Sequence, residues 1–380
     1  MIIKDKLFFK GLNELRAIAA LSVVFHHIEV KNNNSISQNF EFLHYFAANL
    51  GNNGVFLFFV LSGFLITYLL LQEKGAFTTI HLRKFFMRRI CRIWPLYYFV
   101  FGISIIVIPL IVENFEIFRS DHYYNVISNN HNYGIKGILF YLFFMPNVAL
   151  ISGYFMIGCS QAWSVGVEEQ FYILWPFIIL LFNKNRVLQI FVGVLIIFPL
   201  LIFLAKNDFI IYPFSVIIRT IPFHFMAIGA IGGYLYYNYQ TTIEFFTKSR
   251  IFYIITVILI FSFLFYPFFV NYVQEIILSF LFLILIVLSI NEKNSLVFRN
   301  RHFSFLGKIS YGIYMYHIII MFFVFPIINT SFPHSEYGIV NNLLIYLLTF
   351  MLSIVISYFS YKYLELRFIK LKDAKFKTLK

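Results

Sequence analysis

The sequence predicts an all-α polytopic membrane protein with about ten transmembrane helices, one re-entrant or interfacial segment, and both termini cytoplasmic. Three observations lead there. Of 380 residues, 60% are hydrophobic, 21% aromatic and only 12% charged, whereas about a quarter of a soluble domain is charged. The apolar residues fall in runs of roughly 17 to 25, each long enough to cross ~30 Å of hydrocarbon at ~1.5 Å per residue. The basic residues lie in short patches between those runs. A membrane barrel would show shorter alternating segments.

Ten runs qualify: 11–29, 50–72, 94–113, 165–182, 187–205, 212–237, 251–270, 273–290, 309–329 and 339–364. No cleavable signal opens the chain, because the first run carries Arg16, His26 and His27. Residues 137–150 (GILFYLFFMPNVAL) are too short to span and contain Pro146, so a re-entrant or interfacial piece is expected there. Ten crossings put 24 Lys/Arg on the cytoplasmic side and four outside, leaving Arg16 and Arg219 within spans. An eleventh crossing would reverse everything after it and expose Lys184, Arg186, Lys293, Arg299 and Arg301 to the outside. The +13 formal charge is therefore topological, and no soluble basic face suggests nucleic acid.

One membrane domain, 1–365, and a basic cytoplasmic tail, 366–380, are expected. The longest outer segment, 113–161, holds an Asn/His/Tyr-rich stretch around SNNHNYG. Cys91 and Cys159 fall on opposite sides and cannot pair with each other. No metal or redox spacing is present.

An ionisable residue inside a span is costly and therefore a functional candidate. In LRAIAALSVVFHH, Arg16 and His27 are eleven residues apart, ~20° from alignment on one helix face and ~16 Å apart along the axis. His26 lies ~80° from Arg16. A shared polar cleft is expected, with Arg16 near the cytoplasmic surface and His27 deeper as a general base. The plainer reading is a snorkelling Arg and a His bonded to a neighbouring carbonyl.

In HLRKFFMRRICRIWPLYY, Arg89 and Arg92 share a face and can fork onto phosphate oxygens, with Arg88 beside them. Stop-transfer charge is the plainer account. In QAWSVGVEEQFYILWP, Glu168 is the carboxylate expected to face the core as a catalytic group that orients an imidazole or binds a hydroxyl donor, against the ordinary presence of acidic residues in a first helical turn. In GNNGVFLFFVLSGFLIT, Gly54, Ser62 and Gly63 permit close helix approach; Ser62 as an acyl-carrying nucleophile lacks a recognisable base context. Arg219 and His224 sit in the sixth run. Tyr311, Tyr314 and His317 sit in the ninth, where Tyr314 and His317 at i, i+3 can line one cleft.

Two function classes fit buried Arg, His and Glu in such a protein: an enzyme, or a transporter or flippase of a lipid-linked sugar. No inverted repeat or paired broken helices favour the carrier.

Taken together, the stretches resemble the acyltransferase-3 family of bacterial integral-membrane O-acyltransferases. The resemblance rests on Arg16 with His27 after ten intervening residues, GVFLFFVLSGFLI, RRICRIWP, WSVGVEEQFY and SYGIYMYH, in that order along nearly the whole chain. It implies an essential Arg16 and His27 pair, a cytoplasmic RxxR of Arg89 and Arg92, and a WSxxxE element of Trp163, Ser164 and Glu168. Tyr314, His317, Arg219 and Ser62 are expected to line the cleft. It also implies an acyl-CoA donor, usually acetyl-CoA, without metal. The acceptor would be a hydroxyl of a cell-surface glycan such as O-antigen, capsule or exopolysaccharide, reached from the bacterial cytoplasmic (inner) membrane among its lipids.

Two departures stand out. Asn13 beside Glu14 occupies the place where the family often has an acidic residue before the first-helix Arg. No SGNH hydrolase-like domain follows the last span, so a stand-alone enzyme is expected, acting directly or through a separate extracytoplasmic acyltransferase.

Overall fold

The computed structural model describes residues 9, 11–32, 41–119, 134–290 and 301–375. Among these the chain is helical, with no strand. The SNNHNYG stretch, apart from Gly134, and Lys293 and Arg299 lie outside the described residues. Within a bilayer core, backbone amides and carbonyls find no water, so apolar runs become helices that satisfy them internally.

The helices are α1 (Leu12–Lys31), α2 (Glu41–Phe77), α3 (Leu82–Gly102), α4 (Ile108–Asn114), α5 (Ile135–Leu142), α6 (Pro146–Ile151), α7 (Ala162–Leu181) and α8 (Lys184–Lys206). They continue with α9 (Phe214–Arg219), α10 (Phe223–Asn238), α11 (Gln240–Phe246), α12 (Arg250–Phe265) and α13 (Asn271–Ile290). The last are α14 (Arg301–Lys308), α15 (Ser310–Ser331), α16 (His334–Ser360) and α17 (Leu366–Lys375). A π-helical turn, Ile103–Val107, joins α3 to α4, and another, Tyr361–Glu365, joins α16 to α17.

All ten apolar runs form helix, and seven helical segments are long and apolar enough to cross by themselves, or up to eight if the bent pair α11 and α12, at 79°, counts as one. Three runs fall short for different reasons. The 20-residue α1 carries Glu14, Arg16, Glu29 and Lys31. Helix α12 has only 16 residues.

The sixth run corrects the sequence reading. Residues 212–237 are two helices, α9 and α10, broken around Thr220–Pro222. The physical reason is Pro222, which has no amide hydrogen and disfavours helical backbone at the residue before it. Residues 366–375, expected as tail, continue the last helix and pack against α3.

Residues 137–150 form the short helices α5 and α6, neither long enough to cross. Between them Phe144 takes a positive φ of 56°. The carbonyls that this bend frees are met by side chains. Tyr97 donates to Tyr141 O (2.7 Å), Tyr98 to Leu142 O (3.0 Å) and Gln170 to Phe144 O (2.9 Å). Asn147 bridges to the other break, donating to Thr220 O (3.3 Å) and Thr220 Oγ1 (3.2 Å).

Helix α2 is the central element, packed against α1, α7, α10, α12 and α13. Its approach to α10 depends on glycine. A Cβ on Gly63 would strike Met226 O, one on Gly229 would strike Val60 O, and one on Gly233 would lie 2.5 Å from Phe64 O. Small residues at such spacing let helix backbones approach in lipid, where packing rather than hydrophobicity drives association. At the far end of α7, Lys74 donates to Ile179 O (2.6 Å), Leu180 O (3.1 Å) and Phe182 O (2.8 Å), a cation on the carbonyls a helix leaves unpaired.

Two stability outcomes follow from this packing. Gly229→Val lowers the thermal unfolding midpoint in detergent, through overpacking worth about 1–3 kcal/mol. Tyr97→Phe leaves the buried Tyr141 carbonyl with only the 3.3 Å bond from Phe144 N–H and costs about 0.5–1.5 kcal/mol, read as the same midpoint shift; an unchanged midpoint would show that the bend is held by other contacts.

Candidate active site

Helices α1, α2, α3, α7 and α15 enclose a cavity of about 110 Å³. Its polar lining includes Arg16 from α1, Ser62 from α2, Arg89 and Arg92 from α3, Ser164, Glu168 and Tyr172 from α7, and Tyr311 and Tyr314 from α15. Eight of the residues singled out from the sequence therefore meet here: Arg16, Ser62, Arg89, Arg92, Ser164, Glu168, Tyr311 and Tyr314.

The i, i+4 spacing on α7 lets Tyr172 donate to Glu168 Oε2 (2.5 Å), and Ser62 Oγ stands 2.7 Å from the Tyr172 hydroxyl. Because the tyrosine spends its hydrogen on the carboxylate, Ser62 is the donor in the second bond. A parallel chain lies nearby. Tyr314 donates to Gln161 O (2.9 Å), so Ser164, 2.8 Å from the Tyr314 oxygen, donates to it. The Arg89 guanidinium stacks over the Tyr172 ring at 5.2 Å. Arg16 reaches Asn13 Oδ1 at 3.4 Å. Its lining thus sets three guanidinium groups against one carboxylate, Glu168, with Glu169 and Glu365 outside the lining but within electrostatic reach of Arg89 and Arg92, and a lining so rich in guanidinium groups suits an anion.

The neighbouring carboxylate turns away: Glu169 Oε2 accepts from Trp94 Nε1 at 3.1 Å. Ser62 serves as a hydrogen-bond link between α2 and α7, with no imidazole in contact.

Several expected members stand elsewhere. Arg88 bonds to Glu73 Oε2 at 3.3 Å and does not line the cavity, although it adjoins Arg89 in sequence, because consecutive helical residues diverge by ~100°. His27 does not share the cavity with Arg16 either. It lies ~16 Å further along α1, with its ring centroid 5.0 Å from that of His317 and 5.1 Å from that of His26.

All three imidazoles are oriented by backbone carbonyls: His27 Nδ1 on Val23 O (2.9 Å), His317 Nδ1 on Tyr314 O (2.6 Å) and His26 Nδ1 on Ala47 O (2.7 Å). A carbonyl only accepts, so each Nδ1 carries the hydrogen and each Nε2 presents a lone pair. The buried His317 Nε2 has no hydrogen-bond partner among the described residues.

Trp163 and Arg219 line a second cavity, of about 340 Å³, formed by α2, α6, α7, α8, α10 and α13 with the break between α9 and α10. Arg219 is held there by Ala205 O and by Asp208 Oδ1 at 3.0 Å. The sequence reading missed Tyr172, whose signal was its place four residues after Glu168; Tyr311, noted in the ninth run without a role, donates to Ile93 O at 2.9 Å across helices. Among the described residues no group of His, Cys, Asp or Glu is arranged to hold a metal ion.

Comparison with known proteins bears on this arrangement. A "Putative O-acetyltransferase" of Staphylococcus aureus (strain COL) is 27% identical over 97% of this chain and 58% of its own length. The "Putative peptidoglycan O-acetyltransferase" of Bacillus subtilis (strain 168) is 35% identical over 44% of this chain and 23% of its own. The "Peptidoglycan O-acetyltransferase" of Listeria monocytogenes is 27% identical over 49% of this chain and 27% of its own. The chain thus spans less than two thirds of the length of the curated relatives it matches. No solved structure matches it significantly. The acyltransferase-3 family model, described as an acyltransferase domain, matches residues 9–362, and with that coverage the chain belongs to this family of membrane acyltransferases.

Proposed function

We propose that this protein moves an acyl group, most simply acetyl, from cytoplasmic acyl-CoA to a hydroxyl of a cell-envelope glycan, working in the bacterial cytoplasmic membrane. The observation that carries the reading is the cavity in which Arg16, Arg89 and Arg92 face Glu168. Arginine is always charged and its planar fork matches phosphate oxygens, which makes this cluster the holder of the donor's phosphates. Family membership favours an O-acyltransferase over a carrier, and the names of the Bacillus and Listeria relatives point to an envelope polysaccharide as acceptor.

His27 is the general base in this reading. Its Nδ1–H is engaged by Val23 O, so Nε2 is the atom left to take a hydroxyl proton. The acceptor oxygen bonds to the acyl carbon, the carbon–sulfur bond breaks with its electrons leaving on sulfur, and the proton held on Nε2 passes to the thiolate. The thioester arm runs outward from Arg16 toward His27, ~16 Å along α1. Glu168, tied to Tyr172 and through it to Ser62, holds α2 and α7 in register beside the arginines. Ser164 and Tyr314 do the same for α7 and α15.

The test uses inside-out vesicles supplied with radiolabelled acetyl-CoA, with label counted in extracted glycan. His27→Ala is expected to lower the transfer rate by about 10²- to 10⁴-fold at matched expression; an unchanged rate would remove His27 from the chemistry. An acyl adduct on His27 after mixing with donor alone would replace direct transfer by a covalent route. Arg92→Ala is expected to raise KM for acyl-CoA about tenfold or more, as loss of a charge-assisted bond worth roughly 1.5–3 kcal/mol. Arg88→Ala, whose partner is Glu73, should leave that KM near wild type. Equal effects of the two substitutions would show a diffuse charge effect in place of a phosphate site.

A further inference from the structure

The second cavity has a chemistry of its own. Trp163, Phe225 and Tyr272 give it aromatic walls, and His224, Glu275 and Lys206 add polar groups. Some of its polar lining is already satisfied: Asn147 is bonded to Gln170 and Thr220, and Arg219 to Ala205 and Asp208.

The other groups are not. Buried His224 Nδ1 has no hydrogen-bond partner among the described residues, and its Nε2 makes only a long 3.4 Å contact with the Tyr272 hydroxyl. The carboxylate of Glu275 has Lys206 as its charged neighbour and no hydrogen bond among the described residues. A buried polar atom without a partner costs about 1–3 kcal/mol, so His224 Nδ1 calls for something that supplies its missing bond, and the half-buried Glu275 beside it has acceptor capacity to offer the same occupant.

We propose that this cavity is the acceptor subsite and takes one glycosyl ring, Trp163 covering the ring's C–H face while Glu275, His224 and Lys206 bond its hydroxyl and amide groups. The assignment rests on the transfer reaction proposed above. A sugar ring is apolar on its faces and polar at its edge, and aromatic walls with a few convergent polar groups match that division. An acyl tail has no polar group to offer Glu275 or the unpartnered His224 Nδ1.

Position supports the same choice. Trp163 and Ser164 are consecutive on α7, the first lining this cavity and the second lining the arginine cavity. An acceptor held on one side of α7 is therefore close to a donor held on the other. With the termini cytoplasmic, as the charge bias predicts, Lys206 at the end of α8 and Tyr272 and Glu275 at the start of α13 all belong to the outer half. Arg16, Arg89 and Arg92, near the starts of α1 and α3, belong to the inner half.

The test is binding of chitotetraose, a neutral N-acetylated oligosaccharide, to the full chain in lipid nanodiscs, measured by saturation-transfer NMR, with CoA binding measured on the same samples. Wild type should bind both. Glu275→Gln and Trp163→Leu should each weaken chitotetraose by about tenfold or more while CoA binding persists. Retained CoA binding also shows that the variants are folded; if Trp163→Leu fails that check, Glu275→Gln decides. No chitotetraose binding by a wild type that binds CoA, or equal binding by wild type and Glu275→Gln, would overturn the subsite. A phospholipid that co-purifies with wild type, with no sugar bound, would overturn it in favour of a lipid site. Loss of CoA binding in wild type would instead undo the donor reading and leave the sugar result to stand by itself.

Discussion

Hydrocarbon offers no hydrogen bonds, and that constraint organises this protein wherever its helices stop. An unpaired carbonyl in the bilayer costs several kcal/mol, so each irregular segment must be met by a side chain from another element. The bend between α5 and α6 depends on Tyr97, Tyr98 and Gln170. The break before α10 depends on Asn147, which lies in α6. Asn147 thus ties the two interruptions together, and both segments line the larger of the two cavities. Irregular backbone at depth is tolerated where it is buried in protein or lines a cavity, and here both conditions hold.

Polar side chains in the interior act as ties between helices that have no hydrophobic reason to prefer one neighbour over another. Ser62 and Tyr172 join α2 to α7, Thr67 and Trp175 repeat the join at 2.8 Å, and Lys74 closes it at the end of α7. These contacts advance along both helices in the same order, so the two helices run parallel. Ser164 and Tyr314 add α15. The glycines of α10 then fix how deeply α2 can seat. The arginine cavity is what remains between elements held in this way, and its lining sets one carboxylate, Glu168, against three guanidinium groups.

Much of the inner cavity was legible because its residues announce themselves by cost. Arg16, Arg89, Arg92 and Glu168 are ionisable groups in or beside apolar runs, and such groups need a reason to be there. The contacts of Tyr311 and Gln161 gave no such signal, since their partners, Ile93 and Tyr314, are far away in sequence. Arg88 misled because charge clustering does not say which member turns inward; Glu73 captures it. The pairing of His27 with Arg16 on one helix face was sound as geometry along α1. It failed as a statement about one cavity because α15 brings His317 against His27.

The sequence by itself determined the helical class, the positions of the helices and the set of polar residues that lipid would not tolerate unpaired, because run length, hydropathy and helical spacing are local properties. Only the tertiary structure decided that Trp163 and Ser164, adjacent on α7, serve different cavities. It alone decided that the carbonyl at the Pro222 break is met by Asn147, and that three histidines on two helices form one cluster. Those outcomes depend on which helix faces meet, and in a membrane that choice rests on close packing and scattered hydrogen bonds between residues hundreds of positions apart.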